Sequence, residues 1–456
     1  MSGEQKRSVQ FIDMTEGNLV STVFLFALPL LAGNVLQQAY YLADSAVIGR
    51  FVGINALAAT NSCSWVTWTL NALGRDLSGA FAIIASIAAG RKIRRDSYKI
   101  TANALMATAV VSVLVTLLLE LSLERVMDLF RVQPQIRDMT RIYLLVVVLG
   151  IPFSLFYNTC SALLRAEGNS RITFYAITAA TILNIVLDLV FVVGMNGGVF
   201  GAALATIIAQ AVSAGIVANA LIHCELFTYE REYWRFDVGI VKESLRLFFP
   251  MFANSLVIAV GGSMVSRTLN GIGTYMTAGI AAGTRIFTLL EAAVMSIQAG
   301  LSVFIGQNLG AGRKDRIRNG VFRVVLVSLL LTAAFNLVLQ PLAGPITAFF
   351  LSNSDPALVE STHRVAVHSI RYLMAGMFIM TPMYLYRNSV QTMGHPVITM
   401  YTAFLQLMAR AFSVYVLPGI IGETAYYLPT VLAWAVTLPV VYIAYQRLAR
   451  DEAGVN

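Results

Sequence analysis

Apolar runs alternate with short polar connections along almost the whole chain. Twelve of these runs approach or exceed the roughly 20 residues that a helix needs to cross the hydrocarbon core of a bilayer. The pattern predicts twelve transmembrane helices, at residues 20–43, 55–88, 101–123, 140–162, 172–194, 199–222, 245–269, 275–307, 321–343, 367–390, 397–417 and 424–447. We therefore expect an all-α fold, that of a polytopic membrane protein.

The composition agrees with a membrane protein and argues against other classes of protein. The chain has 456 residues, of which 57% are apolar and 12% charged, and its mean hydropathy is +0.71, a balance outside the range of soluble globular domains. The net charge of +8 does not indicate nucleic-acid binding, because the basic residues form short clusters in alternate connections between runs. Such clusters are typical of cytoplasmic loops facing membrane lipid. We expect a multi-pass protein of the inner or plasma membrane with both termini in the cytoplasm.

The two halves of the chain repeat each other. Ala-Gly-Arg-Lys at 89–92 recurs at 311–314, and Leu-Pro at 28–29 meets Phe-Pro at 249–250 near the same offset. The predicted domains are an N-terminal lobe at 1–222 with helices 1–6, a cytoplasmic linker at 223–243, and a C-terminal lobe at 244–456 with helices 7–12. An even number of helices in each half keeps both lobes in one orientation, as in transporters built from parallel repeats.

Polar residues inside the apolar runs are the candidate chemistry. Asn184 and Asp188 are four residues apart, a spacing that places them on one face of a helix. Gln37, Tyr40 and Asp44 line one face of the first run in the same way. An ionisable side chain at membrane depth costs roughly 2.5–3.5 kcal/mol on insertion scales, so it usually faces a cavity or a partner. We expect a polar site here, with a buried structural pairing as the alternative.

Further candidates come from the fourth and sixth runs. Tyr143, Asn158 and Ser161 offer groups to a substrate or cavity, and Thr206 can join the site from the sixth run. For Thr206 and Ser161, simple hydrogen bonding between packed helices is an equal alternative. Pro29 has no backbone donor and should bend the first helix.

Four stretches of this sequence resemble the multidrug and toxic compound extrusion (MATE) family. They are Thr-Glu-Gly at 15–17, Tyr-Leu-Ala-Asp at 41–44, Leu-Arg-Ala-Glu-Gly-Asn at 164–169 and Leu-Asn-Ile-Val-Leu-Asp at 183–188. The similarity is greatest to the prokaryotic branch with its cation site in the N-terminal lobe. It implies a transporter and not an enzyme, which exports small organic compounds in exchange for protons or sodium ions. By this resemblance Asp44, Asn184, Asp188 and Thr206 form the cation-coupling group, with Tyr143 beside it.

The expected coupling ion follows from the same residues. Two carboxylates that lie close together repel each other, so the site should take up a cation. That cation is either a proton or a sodium ion held by oxygens of Asp44, Asn184 and Asp188. We expect no cofactor and no other metal, because the four histidines are scattered and Cys63, Cys160 and Cys224 contain no CxxC pair. The predicted working state is a monomer.

The second half lacks this acidic site. At the duplicated positions it has Val265 in place of Asp44, and roughly Arg410 and Val414 in place of Asn184 and Asp188. The further substrate or cavity candidates are charged residues in or at the ends of its runs: Arg267, Glu291, Arg387 and Arg410. Arg285 is another basic residue of these runs.

Two interpretations of these arginines stay open. They snorkel or pair internally, for example Arg285 with Glu291, or they contact an anionic or zwitterionic substrate. The second interpretation would favour a flippase or exporter of a lipid-linked or other amphiphilic precursor. Arg75 and Asp76, adjacent inside the second run, form either a self-neutralising pair or part of a cavity.

Overall fold

The computed structural model describes residues 11–62, 64–224, 226–350 and 356–453, and these residues are almost entirely helical. Each predicted run corresponds to one helix or to two helices in succession. The first half contains α1 (Leu19–Val47, then a π turn at Ile48–Val52), α2 (Ile54–Ser62 and Ser64–Arg91), α3 (Arg94–Leu129), α4 (Pro134–Leu149 and Ile151–Ala166), α5 (Arg171–Asp188, then a π turn at Leu189–Gly194) and α6 (Gly198–His223). The second half contains α7 (Val238–Ile272), α8 (Thr274–Gly310), α9 (Lys314–Phe350), α10 (Pro356–Thr392), α11 (Pro396–Tyr415) and α12 (Pro429–Ala453), with short helical turns at Pro418–Ile421 and Gly422–Tyr427.

Most of these helices are long and apolar enough to cross a membrane. Ten described helices meet that description, or eleven when the two bent parts of α4 count as one span. The remaining predicted run lies in α10, which contains Arg371 and Arg387 within that run. Lys6 and Arg7, two basic residues that precede the first run, and Cys63 lie outside the described residues.

The chain forms two compact units. The first unit comprises the residues up to Thr15 together with Leu25–Phe248, and the second comprises Glu16–Phe24 together with Phe249–Asn456. The stretch predicted as a linker, 223–243, belongs by its contacts to the first unit. Buried Asn103 of α3 holds it there, because its Nδ2 donates to the Arg235 carbonyl at 3.3 Å and its Oδ1 accepts from the Asp237 N–H at 2.9 Å. The lobe boundaries drawn from the sequence stay a prediction.

Corresponding helices pack together inside each unit. In the first unit α4 packs on α2, α3 and α6, and α5 packs on α6. In the second unit α10 packs on α8, α9 and α12, and α11 packs on α12. Even single contacts recur: the hydroxyls of Thr108 and Thr159 lie 2.8 Å apart between α3 and α4, and those of Thr332 and Thr381 lie 3.1 Å apart between α9 and α10. The duplication seen in the sequence is thus a duplication of packing.

One helix of the first unit, α4, changes direction part-way along its length. α4 bends by 41° between its two parts, at Gly150, and Pro152 just beyond has no N–H for the helical ladder. A Cβ on Gly150 would lie 2.9 Å from Ile207 of α6, so glycine lets the two helices approach closely. Pro29 lies inside α1, which runs on through it. Its predicted effect on the direction of α1 stays a prediction.

Candidate functional site

Helices α1, α5 and α6 bring Asp44, Asn184, Asp188 and Thr206 together in the first unit. Asn184 and Asp188 are each only 1% exposed. The Asn184 Nδ2 donates to Asp188 Oδ2 at 3.0 Å, and its Oδ1 accepts from the Thr206 backbone N–H at 3.3 Å. Asp188 and the Thr206 backbone determine this orientation of the amide. In the reverse orientation the amide oxygen would face the Asp188 carboxylate and the amide nitrogen would face the Thr206 N–H. The amide therefore ties α5 to α6 and positions the Asp188 carboxyl group.

The carboxyl groups of Asp44 and Asp188 are in hydrogen-bonding contact. A hydrogen bond between two carboxyl groups requires a proton on the pair. One oxygen of each group, Asp44 Oδ1 and Asp188 Oδ1, is buried, and no other described residue donates a hydrogen bond to it. The site has more acceptors than donors, which is the arrangement that accepts a proton or another small cation.

Hydroxyl groups lie along one side of the carboxyl pair. The Thr206 Oγ1 donates to the Ala202 carbonyl at 3.1 Å, and it lies 3.2 Å from the Tyr40 hydroxyl. Because the Thr206 proton is used by Ala202, Tyr40 is the donor in that second bond. Tyr143 packs against the apolar cluster that contains Ala202, and its hydroxyl lies within range of the charge of Asp44.

A π turn follows each of the two carboxyl residues. α1 continues past Asp44 into Ile48–Val52, and α5 continues past Asp188 into Leu189–Gly194. Ile48 and Val192 of these turns are buried in one apolar cluster with Val199 and Ala202. π turns are rare and occur often at functional sites. Apolar periodicity does not separate a π turn from a regular helical turn, so the sequence pattern did not predict them.

The other polar candidates of the first unit lie at different places. Gln37 is half-buried on α1, one turn before Tyr40. Asn158 donates to the Ser154 carbonyl of its own helix at 2.8 Å, and Ser161 is fully buried one turn further on. Within the described part of the chain, neither residue joins the contacts around Asp188.

Arg75 and Asp76 form an ion pair. The Arg75 Nε lies 3.5 Å from Asp76 Oδ1, with the carboxylate buried and the arginine side chain 59% exposed. Of the two predicted roles, this geometry fits the self-neutralising pair.

The second unit gathers a different set of predicted residues. Glu291 of α8, Arg387 of α10 and Arg410 of α11 lie together around Tyr384. The Tyr384 hydroxyl donates to Glu291 Oε1 at 2.8 Å, and the Arg387 guanidinium carbon lies 4.7 Å from the centre of the Tyr384 ring. Tyr384 was missed, although its spacing of three from Arg387 puts both on one helical face.

The predicted pairing of Arg285 with Glu291 is wrong. Glu291 faces Tyr384 and Arg387, whereas Arg285 is exposed. A spacing of six residues corresponds to about 600° of helical rotation and so places the two side chains on different faces of α8. Arg267 of α7 is likewise exposed.

Comparisons with known proteins agree with this architecture. The family model MatE matches residues 29–190 and 248–416. The multidrug export protein MepA of Staphylococcus saprophyticus is 23% identical over 94% of this chain and 94% of its own length. A FAD transporter of Shewanella oneidensis is 25% identical over 73% of this chain and 74% of its own.

The fold is that of solved MATE transporters. The bent form of VcmN from Vibrio cholerae covers 95% of this chain and 98% of its own, with a TM-score of 0.87 at 20% identity. An outward-facing multidrug resistance MATE transporter covers 99% of this chain and all of its own length, with a TM-score of 0.90 at 17% identity. Their twelve helices in two lobes match the twelve predicted here. With a family model that spans most of both halves, the chain belongs to the MatE family of multidrug efflux transporters, which are membrane transporters and not enzymes.

Proposed function

We propose that the protein exports small organic compounds across the cell membrane in exchange for protons or sodium ions, by alternating access between its two lobes. One observation carries this proposal: the buried Asp44–Asp188 carboxyl pair, which Asn184 holds in place. In the first unit this pair has the oxygen-rich, donor-poor surroundings that bind a small cation. The name of the multidrug export protein MepA supports organic compounds as the cargo.

The pair can couple ion binding to conformation. A cation shifts a two-state equilibrium only by the difference between its affinities for the two states. Each tenfold difference in affinity between the inward-open and outward-open states biases the equilibrium by about 1.4 kcal/mol. Asp44 and Asp188 lie on different helices, so a relative displacement of α1 and α5 would change that affinity directly.

The proposal includes the setting of the transporter. It places a monomer in the cell membrane, surrounded by lipid, with both termini in the cytoplasm. The basic residues of alternate connections support that orientation. The coupling ion is the only small inorganic species in the proposal, and no cofactor is included.

A second candidate is the export of an amphiphilic anion, such as a lipid-linked precursor. The buried Arg387 and Arg410 of the second unit favour it, since a cationic drug would be repelled by them. The name of the related FAD transporter, whose substrate carries phosphates, supports the same direction.

Transport by purified protein in proteoliposomes tests the proposal. A pH gradient and a sodium gradient are imposed separately against a panel of cationic, neutral and anionic compounds. We expect accumulation of at least one compound under one of the gradients, abolished by the ionophore that dissipates it. Equal movement with and without either gradient would refute coupled export and leave a facilitator.

A further inference from the structure

The membrane-spanning part of the second unit has few acidic residues. Between residues 249 and 450 they are Glu291, Asp315, Asp355, Glu360 and Glu423. Asp315 lies in the first turn of α9, Glu360 near the start of α10 and Glu423 in the turn before α12, and Asp355 lies outside the described residues. Glu291 alone lies in the middle of a described helix, α8.

Arg387 lies near this carboxylate, and Arg410 lies near Arg387 and Tyr384. Arg387 is 8% exposed and Arg410 9%, so both guanidinium groups are held away from solvent and lipid. They lie close enough together for their charges to repel, and Arg387 is close enough to Glu291 for their charges to attract. The Arg410 Nη1 donates to the Ile258 carbonyl of α7 at 3.2 Å. A backbone carbonyl satisfies a donor but does not cancel a charge.

The packing of the second unit creates room for this arrangement. A Cβ on Gly261 of α7 would lie 3.0 Å from Arg410 Nη1 and 3.2 Å from its Cδ. Glycine at this position lets the arginine lie along α7. The guanidinium is therefore held by close packing on α7 as well as by the Ile258 carbonyl.

The charges of the cluster do not balance. Two guanidinium groups, which stay protonated in proteins, stand against one carboxylate, so the cluster formed by Glu291, Tyr384, Arg387 and Arg410 carries an excess positive charge. Buried charges inside membrane proteins are costly and mark substrate or ion pathways. A ligand that brings one negative charge would neutralise the cluster.

We infer that this cluster binds the anionic group, a carboxylate or a phosphate, of an amphiphilic compound that the protein exports. The inference rests on the proposed export function and specifies the class of its substrate. A guanidinium presents a planar fork of donors that matches both groups, and the Tyr384 ring offers an apolar surface beside them. The Glu291 carboxylate then limits the charge of the empty site and competes with the ligand for Arg387.

Equilibrium binding tests the inference without any gradient, so its result is independent of coupled transport. The purified protein is placed in nanodiscs of phosphatidylcholine. The probes are two matched pairs that differ mainly in an anionic group: flavin mononucleotide against riboflavin, and naphthalene-2-carboxylate against naphthalene-2-methanol. We expect the anion of at least one pair to bind at least about tenfold more tightly than its neutral partner.

Variants assign the preference to the cluster. Arg387→Gln and Arg410→Gln should each remove most of it, whereas Arg267→Gln and Arg285→Gln, which change exposed arginines of the same unit, should leave it intact. Glu291→Gln should tighten binding of the anion, and a gain of affinity is not explained by misfolding. The inference is overturned if no anion is preferred, or if the exposed-arginine controls lose as much as Arg387→Gln.

Anionic lipid is the other possible source of the same group. Nanodiscs that contain phosphatidylglycerol distinguish the two sources. If the site takes soluble amphiphiles, binding of flavin mononucleotide should persist at similar affinity in these nanodiscs. If the lipid headgroup is the natural occupant, binding should weaken in proportion to phosphatidylglycerol in the wild type and be insensitive to it in Arg387→Gln. If the wild type shows no anion preference in nanodiscs made only of phosphatidylcholine, the inference is still overturned.

Discussion

The two units share a scaffold, but the charged groups buried in them differ: a pair of carboxyl groups in the first unit, and two arginines with one glutamate in the second. On α5 the first unit has Asn184 and Asp188, and near the matching positions of α11 the second unit has Arg410 and Val414. In both units a buried polar side chain of this helix bonds to a neighbouring helix, through Asn184 to α6 and through Arg410 to α7. The backbone repeats, whereas the acidic group of the first unit has no counterpart at the matching position of the second, where an arginine stands in place of the amide.

The difference indicates that the two units have separate roles in transport. A group of acceptors without enough donors binds a cation, and a pair of guanidinium groups with one carboxylate binds an anion. If each unit keeps only its own site, coupling belongs to the first unit and recognition of the substrate's charge to the second. The two sites can then be altered separately, which makes the comparison testable.

The largest effect is expected from removing a carboxylate of the first unit. Asp188→Asn or Asp44→Asn replaces a carboxylate by an amide of the same shape that takes up no proton and has no negative charge to attract a sodium ion. We expect gradient-driven accumulation in proteoliposomes to fall to that of liposomes without protein. Both variants should still purify as folded monodisperse protein, because an amide can hydrogen-bond at the same position.

Glu291→Gln is the matched control in the second unit. By the same chemical change it removes Glu291, the one carboxylate in the middle of a described helix of that unit. Accumulation should keep its dependence on the imposed gradient, although the affinity for an anionic substrate is altered. Loss of gradient dependence in this variant would mean that both units take part in coupling.

A smaller effect is expected from restoring an acid at the duplicated position. Val414→Asp places a carboxylate one turn from Arg410, at the spacing that favours ion pairing along a helix. It should pair with that guanidinium and weaken anion binding by roughly tenfold, the effect of about 1.4 kcal/mol of lost interaction. Binding of flavin mononucleotide in nanodiscs measures the change.

Val414→Asn separates charge from shape. Its side chain resembles that of aspartate but cannot neutralise Arg410. If Val414→Asn weakens anion binding as much as Val414→Asp, the loss comes from packing at a buried position and the charge argument for α11 fails.

Much of this architecture was predictable from the sequence. The apolar runs located the helices, because a span needs a fixed length of apolar residues. The four-residue spacing of Asn184 and Asp188 predicted a shared face, and the structure brings Asp44 and Thr206 to it. The signal that predicted the site was the position of these polar residues inside long apolar runs.

Contacts between helices were not predictable in the same way. Arg285 and Glu291 are near in sequence and opposite in charge, yet helical rotation separates them, and Tyr384 from another helix is the partner of Glu291. The direction of each side chain depends on how α8, α10 and α11 pack, which one sequence does not specify. The π turns after Asp44 and Asp188 were not predictable for a related reason, because they change the backbone hydrogen-bond pattern but not the apolar content of the sequence.

The smallest expected effect tests whether corresponding contacts in the two units contribute equally to the free energy of unfolding. Thr108→Val and Thr332→Val each remove a hydroxyl from corresponding buried threonine pairs, at 2.8 and 3.1 Å, while keeping the side-chain volume. Hydrogen bonds between membrane helices contribute about 0.6 kcal/mol on average, so both variants should lower the free energy of unfolding by a similar small amount. Thr437→Val, which removes a bond of Thr437 to its own helix at Ala433, corrects for the loss of a local bond. Reversible unfolding of the purified protein measures all three. If one variant loses several times more free energy of unfolding than the other, the duplicated contacts differ in energy, just as the two sites differ in charge.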